Sequence, residues 1–496
     1  LGMDGRAPVV RTWPPSAIEL VMQGDFDRFT AVNPKYEDPY PLSERYFLCS
    51  RMTGEGERMG LYLVDVFGNE VLLHVEGQGC FDPMPLSPRE RPPVVPDRID
   101  LRGAMGYAYV DDVYRGTGMD AVHRGTVRWL RVVESPEKRF WTQDAWLGQG
   151  QEAPAMNWHD FNNKRILGTV PVDEDGSAYF EVPADRFVYF QLLDERGMMV
   201  QSMRSGTTFR PGEATGCIGC HEDRGATVPS MRPRTAFHRA PSKLEPWHGT
   251  PREFSYITEV QPVFDRYCVS CHDMDQPAGQ KLCLAGDRGL AFNRSYNEIW
   301  RKGYVHVVGA GPAEVQEPLT WGSHASRLVQ VLLAGHHGVS LDAESFDRLV
   351  TWIDLNAPYY PTYATGYPRG AFGRSPLSND ELTRLGALTG INFLDHVGDQ
   401  EEEILVSFDR PDMSPVLAAM GDKDAEAYAE ALALIEAGAK RLAETDRGDR
   451  PTFVLAGIEA DRQAKYAERQ ETAARTRQAM LRGERYYPYR DQAAGR

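Results

Sequence analysis

The chain has 496 residues, of which 42% are apolar and 10% aromatic, so it can bury several packed cores. Its 71 acidic and 55 basic residues give a formal net charge of −16, which argues against a nucleic-acid partner and against docking on anionic lipid. No apolar run reaches the roughly 18 residues that a membrane span needs.

The N-terminal part is predicted to form short strands separated by turns. The segments 46–50, 60–66 and 70–74 are strand-like, with Phe67-Gly68-Asn69 as one of the turns. This pattern is typical of one blade of a β-propeller, and a single blade cannot close a ring. We therefore assign residues 1–81 to a propeller-blade-like segment and expect further chain upstream of Leu1.

Six prolines between Asp82 and Arg98 predict an extended connector and a domain boundary. Residues 99–225 are then expected to form a β-rich middle domain resembling an antiparallel sandwich. Evenly spaced strands are predicted over 125–133, 165–172, 178–182 and 187–193, with a turn at 173–177.

Two segments of the chain have the C-x-x-C-H spacing, at Cys217-Ile218-Gly219-Cys220-His221 and at Cys268-Val269-Ser270-Cys271-His272. Two thiols at this spacing can add to the two vinyl groups of one haem, while the following histidine offers its imidazole to the iron. The sequence therefore predicts two covalently bound haem c groups, held by Cys217, Cys220, His221 and by Cys268, Cys271, His272.

Two other uses of such cysteine pairs remain open. Two C-x-x-C pairs can together bind zinc, although the separation here is wider than usual. A redox-active dithiol of the thioredoxin type would need a nearby βαβ pattern, which the sequence lacks.

Residues 226–252 contain five prolines and are predicted to be a linker, and residues 253–365 follow as a helical cytochrome c-like domain. A helix is expected from Phe254, with Val260, Val263 and Phe264 on its apolar face. A second helix is predicted after Asp342, where apolar residues recur at helical spacing: Phe346, Leu349, Val350 and Ile353.

The order of C-x-x-C-H motif, loops and final amphipathic helix resembles a small class I cytochrome c domain. In that family the second iron ligand usually precedes the last helix and is often Met. Here the stretch 334–341 offers His336 and His337 and contains no Met. We therefore expect bis-His ligation of the second haem by His272 and either His336 or His337, with His324 as the next candidate. Such iron has a lower potential than His/Met iron, which suits electron relay.

The second iron ligand of the first haem is not evident from spacing, and four histidines are candidates: His123, His159, His238 and His248. A haem with one open side could bind and convert a small molecule, whereas a haem with two protein ligands would only pass electrons. The catalytic or non-catalytic character of the protein depends on this ligand.

Residues 375–496 are expected to be a helical C-terminal region without a chemical site. Ser378-Asn379-Asp380-Glu381 has the pattern of a capping box, and long Ala-rich helices are predicted over 422–445 and 459–485.

The three cysteines outside the motifs are Cys49, Cys80 and Cys283, and an odd remainder argues against a disulfide scaffold. Haem attachment through C-x-x-C-H takes place outside the cytoplasm, so we expect a periplasmic or otherwise extracytoplasmic protein. No export signal is present in this chain.

Several strings of this sequence resemble the alpha subunit of hydrazine synthase and its relatives. They include Pro39 to Ser43, Arg165 to Val172 with Asp175 to Ala178, Cys217 to Glu222, Gln261 to Val263, Gly322 to Ser326 and Trp352 to Tyr360. The resemblance covers roughly residues 40–420 and follows the same motif order. It implies an α+β multidomain fold with a β-propeller remnant, an antiparallel sandwich-like haem domain, an α-helical cytochrome c-like domain and a helical C-terminal extension.

The resemblance implies that the first haem acts on a small nitrogen or oxygen species and that the second relays electrons to a redox partner protein or other subunits. It also implies that the histidine of the first motif binds zinc while a nearby Tyr ligates the iron. This chain departs there, because residues 222–227 contain no Tyr. Cys80 and His221 are the candidate zinc ligands. The alternative function is a non-catalytic electron-transfer or scaffold subunit whose haems are both six-coordinate.

Overall fold

The computed structural model describes residues 12, 14–21, 32–54, 58–94, 98–137, 163–220, 234–308, 316–367, 370, 373–394, 405–421 and 425–484. The chain divides into two compact units: an N-terminal unit of residues 1–97 with 223–227, and a main unit of residues 98–222 with 228–496. Strands dominate the first half and helices the second, which confirms the predicted α+β multidomain class.

The N-terminal unit contains a short helix, α1 (Ile18–Val21), and one antiparallel sheet. Its strands follow one another in the order β1 (Tyr36–Pro41), β2 (Tyr46–Met52), β3 (Met59–Asp65) and β4 (Glu70–Val75). Asp65 Oδ1 accepts hydrogen bonds from the backbone N–H groups of Phe67 and Asn69, which fixes the turn that joins β3 to β4. Cys49 is buried with Tyr62 and Val64 in a small core.

The described residues of the middle part of the main unit form eight strands, β5 (Met105–Val110), β6 (Trp129–Glu134), β7 (Arg165–Pro171), β8 (Ala178–Pro183), β9 (Phe187–Leu193), β10 (Met199–Ser202), β11 (Thr207–Thr208) and β12 (Ala214–Cys217). One sheet has the order β10-β9-β6-β7 with β11 beside β9, and the other has the order β12-β5-β8. Both sheets contribute to one apolar cluster, where the rings of Phe180 and Phe190 meet edge to face at 5.4 Å.

Two details of this region differ from the expectations. The expected antiparallel arrangement is wrong for β12, which pairs parallel to β5 because the chain reaches it from β11 of the other sheet. The strand expected over 125–133 begins only at Trp129. Before it, the backbone N–H groups of Gly125 and Val127 donate to the hydroxyl oxygen of Tyr114, at 2.8 and 2.9 Å, instead of joining a ladder.

The described part of the predicted linker is bound along the edges of both sheets. The carbonyl oxygen of Ser242 accepts from the N–H of Glu181 in β8, and Glu245 exchanges two backbone hydrogen bonds with Thr169 in β7. A segment with this many partners is a fixed part of the main unit.

The helical part of the main unit contains α2 (Tyr256–Glu259), α3 (Gln261–Tyr267), α4 (Val269–His272), α5 (Arg294–Arg301), α6 (Arg327–Ala334) and α7 (Ala343–Asp354). Its core is aromatic, with Tyr256 packed against Tyr296 and Trp352. The carboxylate of Asp342 accepts from the N–H of Ser345 at 2.7 Å, which caps α7 at its predicted start.

The C-terminal part consists of α8 (Asn379–Thr389), α9 (Pro415–Met420), α10 (Glu426–Glu444) and α11 (Ile458–Leu481). The predicted capping box is present, since Ser378 and Glu381 exchange side-chain to backbone hydrogen bonds. Leu377, Leu385 and Phe408 form the centre of its separate core with Ile435. Among the described residues, no helix is long and apolar enough to cross a membrane.

Candidate haem-attachment sites

The first cysteine pair lies at the end of β12, on a loop that is fixed to the segment following β5. The carbonyl oxygen of Cys217 accepts from the N–H of Asp111 at 2.9 Å, and the N–H of Cys220 donates to the carbonyl oxygen of Arg115 at 2.8 Å. Both thiols pack against the apolar cluster shared by the two sheets. His221 lies outside the described residues, so the structure gives no position for the predicted proximal ligand.

Charged side chains surround this loop. The guanidinium of Arg234 binds both carboxylate oxygens of Asp111, with Nε to Oδ1 at 3.0 Å and Nη2 to Oδ2 at 2.9 Å. Arg124 pairs with the buried carboxylate of Asp112. Because Asp111 and Asp112 also bond the backbone beside Cys217 and Cys220, these ion pairs hold the attachment loop in place.

Burial raises the pKa of the Cys220 thiol to about 12 and that of the Cys268 thiol to about 11. Each thiol is therefore protonated at neutral pH in the protein without haem. A redox-active dithiol needs the opposite, a depressed pKa that supplies thiolate. The raised pKa values thus argue against dithiol exchange.

The candidate histidines for the first iron differ in their surroundings. His123 is exposed, and His238 ends a short 3-10 helix. His248 is in contact with the helical part, since its Nε2 lies 2.7 Å from Asp347 Oδ2 in α7. His159 lies outside the described residues.

Sequence reasoning missed an aromatic group on the outer face of the smaller sheet. Tyr109 in β5 is in register with Gly216, one residue before the first motif, and its ring stacks on Phe237 at 3.8 Å. Its hydroxyl donates to Asp111 Oδ1 at 3.2 Å, and burial raises its pKa. The alternation of tyrosines with small residues over 105–110 is the signal that could have identified this face.

The second cysteine pair lies at the junction of α3 and α4. Cys268 is partly buried against the aromatic core, whereas Cys271 is exposed. His272 Nδ1 lies 2.8 Å from the carbonyl oxygen of Leu282. A carbonyl only accepts, so Nδ1 carries the proton and Nε2 is the nitrogen left for a metal.

The predicted ligand stretch comes close to this histidine. The rings of His272 and His336 have centroids 5.9 Å apart, with planes inclined by 34°. His337 is turned edge-on to His336 at 4.7 Å. Burial, followed by the neighbouring His337 and His272, lowers the pKa of His336, which favours the neutral imidazole that metals require.

His324 has a different partner. It lies in a 3-10 helix of residues 322–324, and its Nε2 is 3.2 Å from Asp194 Oδ2 in the β-rich part. The pKa of Asp194 is lowered: burial alone would raise it, but His324 and two backbone N–H groups outweigh that effect. This ion pair favours a structural role for His324.

A buried polar contact joins the β-rich part of the main unit, which contains the first cysteine pair, to the helical part, which contains the second. Arg131 in β6 donates to Thr351 Oγ1 in α7 at 2.7 Å and to Gln191 Oε1 at 3.1 Å. Nearby, Asp354 accepts from the backbone N–H groups of Met199 and Ser323. Burial raises the pKa of Asp354 to about 6.

One further group of possible ligands lies in the N-terminal unit. The donor atoms of His74, Glu76 and Cys80 are all within 4.8 Å of one another, the only such group among the described residues. His74 Nε2 and Glu76 Oε1 are 3.1 Å apart. Gly79, with φ of 88°, allows the turn that returns Cys80 to the sheet, where its N–H donates to the carbonyl of Met59 at 2.9 Å.

The described architecture defines an α+β multidomain protein with two C-x-x-C-H segments, one at the end of a sheet and one at the junction of two short helices. Residues 125–222 match a family described as the hydrazine synthase alpha subunit middle domain. The match ends one residue after the first motif. The chain is thus similar to the hydrazine synthase alpha subunit in this region, which confirms the predicted resemblance.

Two individual proteins are similar to this chain. The curated hydrazine synthase subunit alpha of Kuenenia stuttgartiensis is 23% identical over 326 residues, which cover 50% of this chain and 40% of that protein. The solved hydrazine synthase of Kuenenia stuttgartiensis superimposes with a TM-score of 0.48 at 18% identity, over 66% of this chain and 55% of that one. The chain thus matches about half of the length of these relatives or less.

Proposed function

We propose that this protein is an exported dihaem c-type cytochrome oxidoreductase of the hydrazine synthase alpha type. The first haem is bound by Cys217, Cys220 and His221, and the second by Cys268, Cys271 and His272. Similarity to the hydrazine synthase alpha subunit supports a haem-protein function. The observation that carries the proposal is the mutual position of His272 and His336.

The spacing of these two rings fits one iron between them. A metal–imidazole bond is about 2 Å long, and a ring centroid lies roughly 1 Å behind its nitrogen, so two axial imidazoles have centroids about 6 Å apart. The observed centroid separation is 5.9 Å. The hydrogen bond from His272 Nδ1 to the carbonyl oxygen of Leu282 leaves Nε2 as the nitrogen that would bind the metal. We therefore assign His336, rather than His337, as the second axial ligand.

The two haems have different roles in this proposal. A haem with histidine on both sides has no open position, so the second haem passes electrons to a redox partner protein or to other subunits. The chain's negative charge suits a basic partner. The first haem has no assigned second ligand, and an open iron there would supply redox chemistry on a small nitrogen or oxygen species.

The residues around the first motif would hold and orient this site. The ion pairs of Asp111 with Arg234 and of Asp112 with Arg124 fix the attachment loop. The alternative function, a non-catalytic electron-transfer or scaffold subunit, requires a protein ligand on both sides of both irons. His238 and His123 are the described candidates for that extra ligand, since His248 is engaged with Asp347.

Haem counting and spectroscopy test the proposal. Pyridine haemochrome analysis and intact mass should give two covalently bound haems in the purified full chain, and Cys268→Ala should lower the count by one. A colourless protein with the mass of the bare polypeptide would refute the proposal. Ferric and reduced-plus-CO spectra separate the two roles: a high-spin signal with a CO shift supports catalysis, and the lack of both supports the electron-transfer alternative.

We also propose that the N-terminal unit binds a zinc ion through His74, Glu76 and Cys80. Imidazole, carboxylate and thiolate are the ligands that zinc prefers, and three protein ligands leave a fourth position for water. The competing assignment pairs Cys80 with His221. Metal analysis separates the two: His74→Ala should remove bound zinc if the first assignment holds, whereas retained zinc would favour His221.

A further inference from the structure

His272, the last residue of the second motif, is held from both sides. The N–H of Leu284 donates to the carbonyl oxygen of His272 at 2.8 Å, and His272 Nδ1 donates to the carbonyl oxygen of Leu282 at 2.8 Å. The ring and the backbone of the proximal histidine are therefore both tied to the segment that begins at Leu282. Whatever fixes this segment also fixes the histidine.

Arg410, from the C-terminal part of the chain, connects the two sides. Its Nη2 lies 2.6 Å from Asp273 Oδ1, directly after His272, and its Nε lies 2.7 Å from Asp287 Oδ1, near the end of the segment. The side chain of Asp287 is only 7% exposed and also accepts from Ser407 Oγ at 3.0 Å. The Arg410 guanidinium thus joins Asp273 to the segment 282–287, whose residue Leu282 orients the ring of His272.

The surrounding contacts place Arg410 without depending on its own charge. The N–H of Phe408 donates to the carbonyl oxygen of Arg288 at 2.9 Å, and the N–H of Arg288 donates to Asp409 Oδ2 at 2.8 Å. Because these hydrogen bonds dock residues 408–409 on the helical part, a substitution at Arg410 should leave the chain folded.

We propose that Arg410 is a positioning residue for the second haem: it clamps Asp273 and Asp287 around the attachment segment and keeps the reduction potential of that iron high. The inference rests on the proposed haem at Cys268 and Cys271. Without the guanidinium, Asp287 and Asp273, the residue directly after the proximal ligand, lose the cation that they share, and only the more remote Arg294 still acts on Asp273. Negative charge near the iron favours the ferric state, which carries one more positive charge than the ferrous state.

Charge-deletion variants of the full chain test this role by redox titration. Arg410→Gln should lower the midpoint potential of the second haem, and Asp273→Asn should raise it, while the first haem is unaffected. Opposite shifts of the midpoint potential would indicate an effect of charge. If the substitutions only loosened the attachment segment, both variants would change the potential in the same direction. The second haem's contribution is identified by its loss in Cys268→Ala.

Two further variants sharpen the test. Arg410→Lys keeps the positive charge but cannot bind two carboxylates through a planar guanidinium. The midpoint potential of the second haem in this variant should therefore lie between those of Arg410→Gln and the unmodified protein, and closer to the latter. Arg384→Gln breaks an exposed ion pair with Glu430 in the same C-terminal part and should move neither potential.

Unmoved potentials in both Arg410→Gln and Asp273→Asn, or shifts of one sign in both, would overturn the inference. If Arg410→Gln does not accumulate in folded form, the sign of the Asp273→Asn shift decides alone. A missing second haem in the pyridine haemochrome count refutes the proposed function, whereas an attached haem with an unmoved potential refutes only the role of Arg410.

Discussion

The imidazole rings of His272 and His336 lie 5.9 Å apart between centroids, with a 34° angle between their planes. His272 follows a cysteine pair on the short helix α4, and His336 lies in the loop between α6 and α7. The two residues are brought together because α6 and α7 pack on the same aromatic core as α3. This proximity fits the proposal that the two imidazoles would hold one iron.

We expect His336→Ala to open the sixth position of the second haem. The ferric spectrum should change from low spin to high spin, and the reduced protein should bind CO at one additional site. His336→Met should stay six-coordinate with a higher potential, since thioether sulfur favours the ferrous state. His337→Ala is the matched control and should resemble the unmodified protein. An unchanged spectrum in His336→Ala, with a change in His337→Ala, would exchange the two assignments.

The attachment loop of the first haem provides a second prediction. A Cβ on Gly219 would lie 2.4 Å from the carbonyl oxygen of Arg115, and backbone cannot move away as a flexible side chain can. Gly219→Ala should therefore displace the loop and reduce haem attachment at Cys217 and Cys220. Gly216→Ala is the control, because its Cβ would meet the Tyr109 ring at an ordinary 3.5 Å.

Haem content of the two alanine variants, by pyridine haemochrome per mole of chain, is the measurement. Gly219→Ala should lose up to one haem of two, and Gly216→Ala should retain both. Equal haem content in both variants would show that the contact with Arg115 does not shape the attachment site.

Local patterns predicted much of the secondary structure. The strands β2, β3 and β4, the capped start of α7 and the capping box of α8 all lie where alternation, helical periodicity and cap residues place them. These features depend on residues only a few positions apart in the chain, so local sequence patterns are enough to predict them.

Features that depend on distant contacts were not predictable in the same way. The strand expected from Gly125 starts later because Tyr114 takes the backbone donors of Gly125 and Val127. The pairing of β12 with β5 and the bridge from Arg410 to Asp273 join segments far apart in the chain. For the site, spacing identified the cysteine pairs and the stretch containing His336, but not which surrounding carboxylates and guanidinium groups fix them.

The contact of Arg131 with α7 leads to a third prediction. Arg131 is 1% exposed, and its guanidinium contacts Thr351, Gln191 and, at 3.9 Å, Asp347. Arg131→Met should destabilise the main unit by about 3 kcal/mol. Gln191 in the β-rich part and Thr351 in the helical part would both lose a buried hydrogen-bond donor. Urea unfolding should show a lower midpoint. Arg128→Met, at an exposed neighbouring position, should change stability by less than about 0.5 kcal/mol.

The capping box of α8 makes stability depend on pH. Hydrogen bonds from Arg441, together with those of Ser378, lower the pKa of Glu381 to about 2 from its usual 4.5. A depressed carboxyl pKa stabilises the folded state above the unfolded pKa, and this stability is lost as the pH falls from about 4.5 towards 2. The full shift corresponds to roughly 3 kcal/mol. Solvent screening at this partly exposed ion pair reduces the expected contribution to about 1–2 kcal/mol.

Glu381→Gln should therefore be less stable than the unmodified protein at pH 7, by about 1–2 kcal/mol, and the difference should shrink steadily below pH 4.5. The helical circular dichroism signal during denaturant unfolding, followed between pH 3 and pH 7, measures this difference. Glu430→Gln, which removes the carboxylate of the exposed pair with Arg384, is the control. Its pH-dependent difference should be much smaller, because solvent screens this pair although Arg384 lowers the pKa of Glu430. If the Glu381→Gln difference stayed constant across this pH range, the ionised carboxylate would not be the source of the stability, and the cap would act through its neutral hydrogen bonds alone.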